Sequence, residues 1–369
     1  MKKHERYVEE AMLESTSSYF DYSTTSLVSV SGERSAVLKI SSIEKLVIRL
    51  AATDDIHFHI KTHRGDAKIA MTEIGRQFLV SLNSKEEIQR SYPIHDFSPF
   101  VKAFFESTEE TGWSYSGVKL ERLIGDLDVA IKPLNYAIAR IRILVREKKF
   151  KEAMNAHRRL SNKNYKSLIT YIDRIFENRS RVLVLRVDLG YSKLISDGLV
   201  RERQKFERVK ADRERLLSVL RRKLPEKTLL GHAWKLEYGL SKGYHYHCMF
   251  FLDGAKLRED VAWAREIGDI WVARITSGGG VYYNCNRRKG TYRSCGIGMI
   301  DHSDKEMRKG LEKAVLYLTK IEYYIKIVTD GRARTFGRGE MPKVQASKRG
   351  RPRRSPVDLG NLRTSFQMC

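Results

Sequence analysis

The sequence predicts an α+β protein. Residues 166–330 follow the ferredoxin-like split βαβ plan, with a mixed, partly helical segment before them and a basic tail after them. Three observations carry the prediction. Arg181 to Asp188 (RVLVLRVD) is rich in β-branched residues and reads as a strand. Trp234 to Gly254 (WKLEYGLSKGYHYHCMFFLDG) holds two strand-like runs on either side of a short connection bracketed by Gly239 and Gly243, a hairpin pattern. Stretches of helical length, Asp197 to Leu224 and Lys256 to Ile275, flank that hairpin, and further strand signals follow at Val281 to Asn284 and Ile297 to Ile300. The resulting order, β-α-β-β-α-β and then a helix from about Asp304 to Val328, is that of the split βαβ arrangement, in which the strand carrying Asp188 can lie beside the second run of the hairpin.

The chain has 369 residues, a length suited to two or three domains with ample core. Residues 1–165 carry no chemical motif and read as an N-terminal accessory domain. Within them Ala36 to Leu50 and Phe78 to Leu82 suit strands or short helices, while Ile124 to Leu160 has helical spacing and ends densely basic in ARIRILVREKKFKEAMNAHRRL. Those cations suit a solvated helix face as well as one turned to nucleic acid. Residues 331–369 read as a flexible tail, in which Lys348, Arg349, Arg351 and Arg353 (KRGRPR) resemble an AT-hook whose arginines follow a narrow minor groove; the plainer reading is a basic tail on phosphates.

Sixty-nine Lys and Arg against forty-five Asp and Glu give a formal net charge of +24, and the usual acidic partner for such a surplus is nucleic acid. Four cysteines with no C-x-x-C pair give no disulfide framework and suit a reducing cytoplasm. The start MKKHERYVEEAML, with Glu5, Glu9 and Glu10 in place of an apolar core, and the lack of any long uninterrupted apolar run predict neither a signal peptide nor a membrane partner.

The hairpin carries the chemistry. On a strand, His245 and His247 project from one face, so their ring nitrogens can converge on one divalent cation. A hairpin centred near Ser241 sets Glu237 opposite His245 and adds a carboxylate to that face. Two imidazoles and an acid with open positions suit Mg²⁺ or Mn²⁺. A one-residue slip would turn Glu237 away, and Asp188 is the alternative third ligand. A second pair, His57 and His59, lies near Asp54 and Asp55 and forms a rival site.

The last helix is the second concentration. Lys313, Tyr317, Lys320 and Tyr324 share a stripe beside an apolar one. A phenol of pKa about 10 becomes a nucleophile once its proton is drawn off, and a lysine one turn along can assist or hold a phosphate. A tyrosine at the edge of such a helix also packs simply into a core. Tyr282, Tyr283 and Tyr292, interleaved with Arg287, Arg288, Lys289 and Arg293, could stack bases and track a DNA backbone, or form ordinary cross-strand pairs.

Together, Glu-x₇-His-x-His and a helical Tyr-x-x-Lys about seventy residues on resemble the HUH endonuclease superfamily. The blocks RVDLGYS, EYGLSKGYHYH, WVARITSGGGVYYNCN, GIGMID, YLTK and RTFGRG resemble the replication initiation proteins of filamentous phages and related prophages. The resemblance covers about Tyr165 to Gly339. It implies a rolling-circle initiator in the bacterial cytoplasm that nicks and rejoins single-stranded or hairpin origin DNA through a 5′-phosphotyrosine. His245 and His247 would be metal ligands, Tyr317 the nucleophile and Lys320 its companion, with host helicase and polymerase as partners. Lys313 stands where some members carry a second tyrosine, which favours single-tyrosine chemistry with Tyr324 as a further candidate. No nucleotide-binding G-x-x-x-x-G-K-[ST] is present. A relaxase or transposase with the same chemistry, and a non-catalytic DNA-binding prophage regulator, are the alternatives.

Overall fold

The computed structural model describes residues 19–21, 26–28, 31–64, 66–92, 94–109, 127–192, 202–239, 243–320, 325–327 and 334–343. Its first half is helical. Two short paired strands, β1 (Tyr19–Asp21) and β2 (Ser26–Val28), precede α1 (Ser31–Ala51); the hairpin β3 (Phe58–His63) and β4 (Asp66–Met71) leads to α2 (Glu73–Ser91). β5 (His95–Phe97), α3 (Pro99–Glu109), α4 (Leu127–Arg146) and the long α5 (Lys148–Asn178) follow.

The segment from Ala36 to Leu50 is helical because its apolar residues recur at helical spacing: Ala36, Ile40, Ile43, Val47 and Leu50 are all buried on one side. Phe78 and Leu82 likewise lie within α2, whose first turn is capped by Thr72, the hydroxyl accepting the Gly75 amide at 3.1 Å. α5 runs unbroken through Tyr165.

The second half is built on one antiparallel sheet. β6 (Arg181–Tyr191), α6 (Glu202–Lys223), β7 (Leu229–Gly239), β8 (Gly243–Asp253), α7 (Asp260–Ile270), β9 (Gly280–Asn284) and β10 (Gly298–Asp301) follow in sequence. In space β8 lies between β6 and β7, β9 and β10 share the other edge of β6, and β12 (Phe336–Arg338) pairs with β7. Period-2 alternation sorts the side chains. Leu185, Val187, Leu236, Tyr246, Cys248 and Phe250 face a core formed with α6 and α7, while Val182, Val184, Ala233, Met249 and Phe251 face α5 and the last helix, α8 (Lys305–Lys320). The sheet is thus buried on both faces.

α8 reaches its depth through glycine. A Cβ at Gly310 would overlap the Cys295 carbonyl, and one at Gly296 would overlap the backbone of Gly310 and Leu311, so the helix crosses this segment backbone against backbone. The helix also ends earlier than its sequence suggests. Instead of continuing through Val328, the chain has Ile325–Ile327 in a strand, β11, paired with β5; the described residues of the helix end at Lys320. The alternation Ile-Lys-Ile suits this strand, which joins the end of the second half to the first.

Candidate metal centre

Three adjacent strands each send a pair of polar residues, one residue apart, to the same face: Arg186 and Asp188 from β6, Lys235 and Glu237 from β7, His245 and His247 from β8. The ladder sets Asp188 and Lys235 beside His247, and Glu237 opposite His245, the register expected of a hairpin centred near Ser241. The ligand atoms of Glu237, His245 and His247 all lie within 4.8 Å of one another, and among the described residues this is the group of histidines, cysteines and acids able to hold a metal ion.

Close polar contacts orient each ring. His245 Nδ1 donates to the Gly243 carbonyl at 3.0 Å, which leaves Nε2 turned to Glu237 Oε2 at 3.7 Å. His247 Nε2 lies 3.2 Å from the same oxygen, and its Nδ1 lies 2.7 Å from Asp188 Oδ1. Asp188 therefore addresses the side of the imidazole away from Glu237, the position of a carboxylate that orients a ligating histidine. The second oxygen of Glu237, Oε1, is buried with no hydrogen-bond partner, an acceptor to which a cation would give a partner. The donor set of one carboxylate and two imidazoles fits a divalent ion with open positions.

Burial opposes charge at His247, but Asp188 and Glu237 more than offset it and hold the imidazole up at about 9. Burial likewise opposes ionisation of Glu237, yet His247, His245 and Lys235 draw its carboxyl down to about 2. The neighbouring carboxylates thus favour the protonated form of His247, and the neighbouring cations favour the ionised form of Glu237.

Tyr317 meets this cluster. Its ring stands edge-on to that of His247, with centroids 5.3 Å apart and planes at 90°, and the Arg186 guanidinium lies 4.0 Å over its face. The residue is 3 % exposed, and burial first, then Glu237 and Asp188, push its phenol well above the usual range against the pull of Arg186. It packs into the core of that sheet face and against the centre at once.

The other predicted site residues are dispersed. Lys320 closes α8; Lys313 donates to Ser294. Arg287, Arg288 and Arg293 are exposed on and after the 3₁₀ turn Cys285–Thr291. Lys289 instead donates to both oxygens of Asp260, at 2.9 Å each, because that acid is buried at the start of α7 and needs a counter-charge. Tyr282 is buried with its hydroxyl on Asp269, and Tyr283 and Tyr292 pack against the core, so Tyr282 has no face to offer a base. The rival pair separates: His57 is buried, its Nδ1 2.8 Å from the Thr72 hydroxyl, while His59 is exposed. Tyr324, Lys348, Arg349, Arg351 and Arg353 lie outside the described residues.

Sequence reasoning missed Arg186 and Lys235. The signal was present as Arg-x-Asp and Lys-x-Glu beside His-x-His, three polar pairs of period two inside apolar strands.

A mixed α+β chain with a Glu/His/His centre able to hold a metal ion is the class that fold and site define. Residues 145–339, more than half of the chain, match the family model of the YagK/YfjJ C-terminal domain, a domain found in prophage-associated proteins, and the chain belongs to that family. No curated protein and no solved structure matches it. No helix among the described residues is long and apolar enough to cross a membrane.

Proposed function

We propose that the chain is a metal-dependent DNA-nicking and rejoining enzyme of the HUH type, acting as a rolling-circle replication initiator. The observation that carries the reading is the meeting of Tyr317 with the Glu237, His245 and His247 cluster, two features about seventy residues apart in sequence and joined here ring to ring. The strand order, with β8 inserted between the parallel β6 and β7 and β9 and β10 on the outer side of β6, supports the ferredoxin-like split βαβ assignment.

Glu237, His245 and His247 would hold a divalent ion such as Mg²⁺ or Mn²⁺, which supplies Lewis-acid polarisation of the scissile phosphate. The phenol oxygen of Tyr317 forms a bond to phosphorus as the bond from phosphorus to the 3′-oxygen breaks. The proton lost by the phenol is balanced by the one gained at the 3′-hydroxyl, and the 5′-phosphate stays on the tyrosine. The reverse attack rejoins the strand. Arg186, buried over the Tyr317 ring, with its Nε 3.9 Å from Asp188 Oδ1 and making no hydrogen bond, fixes the phenol and offers donors to a phosphate oxygen. Asp188 holds the His247 ring. The net charge of +24 suits a single-stranded or hairpin DNA substrate.

A second reading rests on the 3 % exposure of Tyr317: the same centre hydrolyses a phosphodiester with water as nucleophile. One assay separates them. Single-stranded oligonucleotides tiled across the DNA that encodes and flanks the chain are incubated with Mn²⁺ and resolved under denaturing conditions. A covalent protein–DNA species, lost in Tyr317→Phe, is the expected result. Cleavage without an adduct supports hydrolysis, and neither product from any oligonucleotide refutes both.

A further inference from the structure

The sequence from Ala153 to Ile172 contains no Asp or Glu, and it falls within one helix, α5. Two contacts fix the height of α5 against α8, which it crosses antiparallel. The Tyr165 hydroxyl donates to Glu312 Oε1 at 2.6 Å, and Arg308 Nη2 donates to Asp173 Oδ1 at 2.6 Å. Tyr317 lies five residues beyond Glu312, and five residues back from Tyr165 is Leu160. With the same rise per residue in both helices, the first contact sets Tyr317 level with Leu160 and the second with Asn164, so the phenol lies level with the stretch from Leu160 to Asn164.

Around that level α5 presents Arg158, Arg159, Lys163 and Lys166, all exposed and none in an ion pair among the described residues. At about 3.6 residues per turn they fall within about 140° of arc and about 12 Å of axis, inside the stretch that holds no acid. The arc lies away from Leu168, Tyr171, Ile172 and Ile175, which are buried against the sheet. A face that was merely solvated would alternate in sign, as Lys148 and Glu152 do at the start of the helix. A membrane-seeking face would set bulky apolar residues among the cations; this arc holds Asn155 and Asn162 instead.

We propose that this face of α5 is the track for the sugar–phosphate backbone of the strand delivered to the metal centre, which makes it a single-stranded DNA-binding surface level with Tyr317. The proposal rests on the nicking function for the identity of the strand, but binding itself needs no metal and no cleavage.

The test compares the full chain with the triple variant Arg158→Gln, Arg159→Gln, Lys163→Gln, binding a fluorescent single-stranded oligonucleotide in EDTA over a range of salt. A control variant loses three exposed cations from the opposite layer, by Arg221→Gln, Arg222→Gln and Arg265→Gln. Loss of three phosphate contacts should lower the slope of log affinity against log salt by about 2 in the first variant, at about 0.7 per contact, and by much less in the control. Equal loss in both variants, or an unchanged slope in the first, overturns the track. If the wild type binds with this slope difference yet forms no Mn²⁺-dependent adduct, the nicking function falls and the surface stands. If an adduct forms while the triple variant binds as the wild type does, the surface falls and the nicking function stands.

Discussion

Replacing Asp188 by Asn distinguishes an orienting carboxylate from a metal ligand. Asp188 lies 2.7 Å from His247 Nδ1 and helps to raise that imidazole to about 9. At pH 7 a cation must therefore displace a proton, at a cost of about 3 kcal/mol, on the order of a hundredfold in affinity. The sign follows from the shift: the protonated ring competes below about 9, so affinity climbs as pH rises towards 9 and then levels. Asp188→Asn has two opposed effects. Loss of the orienting partner weakens the ligand about 10–100-fold, while the lowered His247 pKa relieves part of the proton competition. Near pH 7 the two largely offset; near pH 9 only the loss remains. Calorimetric titration of Mn²⁺ under inert gas, in buffers of different ionisation enthalpy, should show about one proton released per ion by the wild type at pH 7 and fewer by the variant. Uptake by the wild type without proton release, or an equal affinity loss in the variant at both pH values, would refute the orienting role.

Three further substitutions probe neighbouring features. Arg186→Gln should slow single-turnover adduct formation by about 10²–10³-fold with Mn²⁺ affinity unchanged, since it removes a buried cation from the proposed nucleophile and not from the ligand set; a parallel fall in Mn²⁺ affinity would contradict this. Gly310→Ala forces α8 away from Cys295 and should cost about 1–3 kcal/mol in urea unfolding, whereas wild-type stability would show that the crossing yields freely. Lys289→Met strips the partner from Asp260 and should destabilise by about 1–3 kcal/mol, while Arg288→Gln on the same turn stays within about 0.5; equal effects would mean that the Asp260 pair does not matter.

Local patterns made the strands legible. RVLVLRVD and the glycine-bracketed hairpin are regular enough that the faces of His245, His247 and Glu237 followed from alternation and one assumed turn. Long-range pairing was harder to read. Ile325–Ile327 continue an amphipathic helix by spacing alone, and only β5, more than two hundred residues earlier, makes them a strand. The aromatics near Tyr282 looked free because nothing local reveals that Gly268 leaves a recess against which that ring packs. Arg186 was passed over as one cation among sixty-nine, and its meaning depends on Tyr317, more than a hundred residues later, packing onto the same face of the sheet.

The pairing of β5 with β11 bears on how the protein can be divided. A fragment limited to 145–339 keeps α5, the sheet and the Tyr317 helix but discards His95–Phe97. The backbone of Ile325–Ile327 would then lie open a few residues past the end of α8, an invitation to another copy of the fragment. Shortened versions should therefore self-associate through that edge, and the N-terminal half serves as its built-in cover.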